Sequence, residues 1–417
     1  MIRRLGLNSL WLLLARVAVL SLAVLFHALL ARRLGVEVFG QYALVATLAF
    51  LGNVFTTFGT DTLLIRETAR AGRITHLTTA AIWLQLGLSV LWIGGIMAAT
   101  FAWPLPGPAR PALSLLLLSL LPLAFFTVLS ALARAFERMS LILALNVIAA
   151  LLQIAGAALL VKNEGDLLAL CAWLLACQMI VAGLAAILCR IYIPDLTFHF
   201  AVAFSDVAHL LQKAWPLALL TFFGLLSQRL SLFILQPLAG DAAVGYFSAA
   251  ARLFEGLKLG HYALLGALLP VVARRGALET TRAFQIILAA MSILSLGMAA
   301  ATTLFSAPII SAVYGSRFDA SATALAVLVW ALLPYTINAC VSLMLVASGG
   351  ELAILKGTAF TLLATAILQG ALIQKFGLAG AAWGALEAEC FQALVFIWLY
   401  QTTRLPTSFT SHDIRPA

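Results

Sequence analysis

The chain has 417 residues, 63% of them hydrophobic and 10% charged, with a mean hydropathy of +1.07. Soluble domains carry about a quarter charged residues, so a soluble domain is excluded and the chain is read as an all-α polytopic membrane protein. Its net charge of +9 then reports cytoplasmic loops rather than nucleic acid as a partner.

A bilayer is crossed by about 20 apolar residues. Twelve stretches meet that criterion, near 10–31, 41–62, 77–101, 112–133, 140–161, 167–189, 214–236, 245–272, 283–305, 320–346, 352–373 and 378–400. Arg3 and Arg4 before an apolar run imitate a signal peptide, but Arg16 interrupts the run and no small-residue cleavage site follows, so the run is taken as the first span. An even count puts both termini on one side. With the N-terminus inside, Arg32, Arg33, Arg110, Lys162, Arg317 and Lys375 fall outside, Arg16, Arg229, Arg252 and Lys258 fall within spans, and the remaining 15 of the 25 basic residues fall inside. That bias predicts cytoplasmic termini.

Residues 191–213 form the longest connection and are expected to be a cytoplasmic linker between six-helix lobes at 1–190 and 214–403, with 404–417 a cytoplasmic tail. Within the linker, VAHLLQKAW is suited to lie along the membrane interface. The longest outer connection, about 15 residues, is read in SAPIISAVYGSRFDAS. Cys171, Cys177, Cys189, Cys340 and Cys390 sit in apolar stretches without CxxC spacing, which indicates small buried side chains and neither disulfides nor a metal site. No cofactor is indicated.

The two lobes repeat one another. Gly35 and Gly40 precede Gly240 and Gly245 by 205 residues, and Pro122 and Gly165 precede Pro334 and Gly377 by 212. Parallel six-helix repeats around a central cavity, related by an axis along the membrane normal, describe a class of secondary transporters that hold substrate between the halves.

Polar residues mark that cavity. Span one carries Arg16 and His27, eleven residues apart and so on one helix face. Span two sets Asn53, Thr57, Thr60 and Asp61 along a common face, span five carries Asn146 and Gln153, and span eleven carries Thr358, Thr361, Thr365 and Gln369. Span seven brings Gln228 and Arg229, and span eight brings Arg252, Glu255, Lys258 and His261 at i+3 steps. A charge at the bilayer centre costs at least about 2.5 kcal/mol, so these residues face protein or a wet cavity. Glu255 is expected to pair with either neighbour on its helix, leaving one cation uncommitted. Gly256 and Gly260, like Gly380 and Gly384, form small-xxx-small pairs suited to close helix approach. Several cations in such a cavity attract an anion, and arginine's fork matches phosphate oxygens. Each residue also has a plainer reading. Arg16 can snorkel to the headgroups, Arg229 and Lys258 can form structural pairs with Glu255 or Asp61, His27 can be an interhelical hydrogen-bonding group, and Glu387 and Glu389 in span twelve are ambiguous.

The N-terminal strings NSLWLLLAR, LLARRLGVEVFGQYAL and FGTDTLLIRETA resemble the polysaccharide-repeat-unit flippases of the multidrug/oligosaccharidyl-lipid/polysaccharide exporter superfamily. QRLSLFILQPLAGDAAVGYFSAAARLFE, SAPIISAVYGSRFDAS and FGLAGAAWGALEAE in the second half agree, and the resemblance runs from Asn8 to Tyr400. It implies a flippase, not an enzyme, that moves an undecaprenyl-diphosphate-linked oligosaccharide from the inner to the outer leaflet of a bacterial plasma membrane for polysaccharide assembly. Arg16, Arg229, Arg252 and Lys258 would meet the diphosphate, and His27, Asn53, Gln228 and His261 would line the cavity. Relatives often carry an acid two residues after the arginine matched by Arg229, where this chain has Ser231. That leaves Asp61 and Glu255 as candidates for coupling to a proton or sodium gradient.

The nearest rival is an ion-coupled multidrug exporter of the same superfamily, which needs intramembrane acids for organic cations, whereas span one here offers Arg16. A membrane-bound oligosaccharide polymerase or ligase favours a large outer loop, which this chain lacks.

Overall fold

The computed structural model describes residues 2–72, 74, 77–103, 107, 109–193, 203–279, 281–347 and 350–403, with side chains apart from those of 2–20, 164, 259, 260, 262–284, 347, 351 and 403. Among these residues there are helices and no strand: α1 (Ile2–Thr57), α2 (Thr60–Ala71), α3 (Leu77–Ala102), α4 (Ala109–Leu118), α5 (Leu120–Ala135), α6 (Met139–Leu160), α7 (Leu167–Tyr192), α8 (Phe204–Glu279), α9 (Thr281–Leu304), α10 (Ser306–Tyr314), α11 (Ser321–Leu328), α12 (Leu332–Ala347) and α13 (Glu351–Thr403).

Nine stretches among the described residues are long and apolar enough to cross a membrane, and three of these run 51, 55 and 51 residues. Each long one breaks at a glycine in the left-handed region, Gly35 (φ 72°), Gly240 (φ 80°) and Gly377 (φ 54°). A side chain there would strain the backbone, and glycine has none. Divided at these points, the described residues form twelve apolar segments near the expected places, as in a multi-pass membrane protein.

The repeat is visible in the backbone. Gly35 and Gly240, 205 residues apart, make the same turn. Pro122 and Pro334 are each the third residue of a helix, α5 and α12, that follows a break within a span. Proline lacks the N–H of the helical ladder and clashes with the preceding turn, so each span divides just ahead of it.

The two halves meet through a reciprocal contact. A Cβ on Gly40 would overlap the Asp241 carbonyl oxygen, and one on Gly245 would overlap that of Val36. Val36 and Gly40 stand 205 residues before Asp241 and Gly245, so exchanging the halves reproduces the contact. The pseudo-two-fold axis therefore passes between these glycines. Around them one core joins both halves, with Phe26, Leu30 and Phe39 packed against Phe247, Tyr314 and Phe318. This is the face that the charge bias assigns to the outside. Toward the other face the cores separate, Leu129, Leu145 and Cys189 in one half and Val341, Ile354 and Phe396 in the other.

Several local expectations are corrected. The VAHLLQKAW segment is no separate interfacial helix but the opening turns of α8, because Leu210 is buried against Leu64, Ala80 and Val128 of the first half. The SAPIISAVYGSRFDAS stretch is no open loop. It forms α10, a turn at Gly315 (φ 90°) and a 3-10 turn at 316–318, pinned by fully buried Tyr314 and Phe318. Arg32 also donates to the carbonyls of Ala312 (2.5 Å) and Val313 (3.0 Å) at the end of α10. Arg33 likewise donates to the carbonyls of Ala158 and Val161 at the end of α6. Both place a cation at a helix C-terminus, where the dipole is negative.

The common face drawn through Asn53, Thr57, Thr60 and Asp61 ends at Thr57, since Phe58 (φ 48°) and Gly59 (φ 67°) break the helix before α2. Gly256 faces open space and brings no helix close, and the surroundings of Gly260 lie outside what is described. Gly380 and Gly384 do serve a close approach, to Leu372 and Gln369 across the α13 turn. Cys171, Cys177, Cys189 and Cys340 are buried, while Cys390 is exposed.

Candidate functional site: two cavities related by the repeat

Each half holds a cavity. In the C-terminal half, Arg229, Glu255, Lys258, Thr361, Glu389 and Gln392 contribute to its lining. Arg229 Nη1 lies 2.5 Å from Glu255 Oε1, and Arg252 Nη1 lies 3.2 Å from Glu255 Oε2. Glu255 therefore bridges two guanidinium groups, one from each arm of α8. Lys258 Nζ lies 3.4 Å from Glu389 Oε1, and Asn338 donates to the other carboxylate oxygen at 2.8 Å. Lys258 also sits 4.5 Å from the Phe254 ring centroid and 4.3 Å from that of Tyr335, a favourable place for a cation. The lining itself holds two cations against two carboxylates, and Arg252, which bonds Glu255 from outside the lining, gives the wider group one net positive charge.

The pairing differs from the i+3 expectation. Glu255 does bond Arg252 on its own helix, but its second partner is Arg229, and Lys258 turns to Glu389. Local spacing fixes which side chains share a face and not which neighbouring helix supplies the counter-charge. Glu389 was left ambiguous and Asn338 was missed for that reason. Their signal was an acid and an amide inside apolar spans, each needing a partner.

In the N-terminal half, a second cavity of about 220 Å³ is lined by Tyr42, Phe50, Asn53, Ser119, Gln153 and Gln178 among others. The repeat relates part of one lining to part of the other. Tyr42, Ala46, Ala49, Phe50 and Asn53 stand 205 residues before Phe247, Ala251, Phe254, Glu255 and Lys258, and Leu116 stands 212 before Leu328. Ser119 at the α4–α5 break and Leu328 at the end of α11 put both broken spans against a cavity, where irregular backbone is tolerated inside a membrane. The cavities adjoin at Arg229, whose guanidinium carbon lies 5.6 Å from the Phe50 ring centroid of the opposite half.

The remaining sequence candidates scatter around this pair. Gln228 lines the C-terminal cavity. His27 bonds its own Ala23 carbonyl at 2.7 Å and packs beside Tyr42, at the edge of the N-terminal cavity. His261 is buried and bonds Ser295 at 2.7 Å, which in turn bonds Thr336 at 2.8 Å. Ser231, where an acid was looked for, donates to Gln369 at 3.0 Å. Asp61 lies in the first turn of α2, 3.8 Å from Arg134, and lines neither cavity. Arg16 lies outside the described residues in its side chain. Among the described residues no group of three or more His, Cys, Asp or Glu is placed to hold a metal.

The fold is similar to that of solved membrane transporters. An inward-facing conformation of a multidrug resistance MATE family transporter of the MOP superfamily aligns with a TM-score of 0.76 at 15% identity, covering 92% of this chain and 94% of that one. The lipid II flippase MurJ in an inward closed conformation aligns with a TM-score of 0.72 at 15% identity, over 92% of this chain and 86% of that one. An outward-facing conformation of a MATE family transporter aligns with a TM-score of 0.66 at 17% identity, over 93% of both chains. No curated protein matches the chain in sequence. The family model described as polysaccharide biosynthesis protein matches residues 5–275, close to two thirds of the chain, and the protein belongs to that family.

Proposed function

We propose that the protein is a flippase that carries an undecaprenyl-diphosphate-linked oligosaccharide from the inner to the outer leaflet of a bacterial plasma membrane by alternating access, with both termini cytoplasmic. The carrying observation is the C-terminal cavity, where Arg229 and Lys258 stand against two carboxylates inside the membrane, with Arg252 bonded to Glu255 from outside the lining. A diphosphate entering there competes with Glu255 for the arginines and meets a site already organised for oxyanions. Glu255, displaced from its partners, then needs a proton or another cation. This order reverses the simplest coupling scheme, in which the acid loads while the cavity is empty, because in the empty cavity the arginines already serve it. An organic cation would instead find both lining carboxylates already paired with Arg229 and Lys258, which argues against drug export.

Arg229→Ala tests the reading. A hydrogen bond to a charged group contributes about 1.5–3 kcal/mol, so affinity for a polyprenyl-diphosphate sugar should fall roughly ten- to a hundred-fold in purified, folded protein. Arg229→Lys should recover part of it, because a point charge lacks the fork. Wild-type affinity in Arg229→Ala removes the diphosphate site. Orientation is tested separately, with a reporter active in the cytoplasm alone, fused after Arg404. An inactive reporter there overturns the assigned sidedness.

A further inference from the structure

The N-terminal cavity has its own chemistry. Its lining includes Asn53, Ser119, Gln153, Gln178 and the Tyr42 ring, and no Asp, Glu, Lys, Arg or His. Anions are met by donors and cations by acceptors, but a carboxamide both donates and accepts. Its natural counterpart is a group that also does both, and a hydroxyl is such a group. Gln153, Gln178 and the Tyr42 hydroxyl make no hydrogen bond to other described residues. Polar groups left unpartnered within an apolar membrane segment are unfavourable unless water or a ligand satisfies them. Tyr42 and Phe50 add apolar faces against which the C–H face of a ring can pack. The 5.6 Å approach of Arg229 to Phe50 sets this neutral pocket beside the cation cluster, so one ligand can reach both.

We infer that the N-terminal cavity is a glycan subsite, taking an uncharged sugar ring of the substrate while the C-terminal arginines take its diphosphate. The inference rests on the proposed lipid-linked substrate and adds where specificity for the sugar resides. The phosphate cluster recognises what such lipids share; Asn53, Gln153 and Gln178 read what differs.

The test uses two probes on purified full-length protein: undecaprenyl diphosphate without sugar, and the undecaprenyl-diphosphate-linked oligosaccharide extracted from the cells that make the protein. In a folded Gln153→Leu, Gln178→Leu double variant, affinity for the bare lipid should stay at the wild-type value, while affinity for the glycosylated lipid should fall about ten-fold, the effect of losing two neutral hydrogen bonds. Arg229→Ala should weaken both probes. Unchanged binding of the glycosylated lipid by the double variant overturns the subsite and leaves the diphosphate site standing. A wild-type protein that binds neither probe overturns both. A second readout covers a double variant that fails to fold. Gln178→Cys is placed in a Cys390→Ser background, the other four cysteines being buried, and labelled with a maleimide. Protection by the glycosylated lipid beyond that given by the bare lipid is expected, and equal protection overturns the proposal.

Discussion

The two cavities are built from one plan and filled with different chemistry. Equivalent positions keep the packing residues, Ala46 with Ala251 and Leu116 with Leu328, while Phe50 becomes Glu255 and Asn53 becomes Lys258. Thr47, outside the lining, becomes Arg252 in the same way. A handful of substitutions on one helix therefore turns a neutral pocket into an ionic one. The physics of the membrane explains why they come together. One buried charge alone is costly, and each added cation needs a carboxylate within reach. Glu255 and Glu389 supply it, so the charges occur together as a group, whereas the first half has amides and hydroxyls at its cavity.

The largest expected effect separates equivalent positions in the two halves. Lys258 is 4% exposed and bonded to Glu389, so Lys258→Met alone strands a buried carboxylate and should destabilise the protein by about 3 kcal/mol. Adding Glu389→Gln should restore most of that loss. Asn53→Leu, at the equivalent neutral position, should cost less than about 1.5 kcal/mol. Denaturation of the three variants in the same detergent makes the comparison. A fully stable Lys258→Met would remove the pair as a structural element and leave Lys258 solely to the ligand.

Where the halves are alike, equal effects are expected. Gly40→Ala and Gly245→Ala each push a methyl into backbone of the opposite half, which cannot move aside as a side chain can. Overpacking of this kind costs up to about 3 kcal/mol, roughly a hundred-fold against the state in which this face is closed. Spin-label distances across the two halves should lengthen by the same amount in both variants. A response from one glycine alone would mean that the axis does not relate the halves as the backbone does.

How much of this could be read beforehand follows from the range of each signal. Twelve spans, the repeat and its glycine and proline markers are local or periodic, so Gly35, Gly240, Pro122 and Pro334 were legible as pairs. Which charges meet is a matter of helix neighbours, and here the sequence misled. It offered Glu255 to Arg229 as well as to its own helix, but it gave Lys258 to Glu255 or Asp61 and left Glu389 without a role. The helix break at Phe58 was hidden because phenylalanine with a positive φ is held by its surroundings and not by its own preference. Extending the 205-residue offset from the glycines to Asn53 and Lys258 would have exposed the second cavity, since that offset carries Tyr42, Ala46, Ala49, Phe50 and Asn53 onto the other lining.

The smallest expected effect concerns the two acids first considered for ion coupling. Glu255 sits between two arginines inside the ionic cavity. Asp61, more than a quarter exposed, faces Arg134 at 3.8 Å outside both cavities, and a pair of that kind contributes less than about 1 kcal/mol. In proteoliposomes, flipping under an imposed proton or sodium gradient should lose its gradient response in Glu255→Gln. Asp61→Asn should keep the response, with a rate within about two-fold of wild type. If Asp61→Asn abolishes it, coupling resides in the half whose cavity is neutral, and the division of labour between the cavities fails. If the wild-type protein ignores both gradients, it is a facilitator and Glu255 acts solely as the counter-ion of Arg229 and Arg252. Because the two carboxylates differ in surroundings and not in chemistry, the pair of variants isolates what the ionic cavity adds.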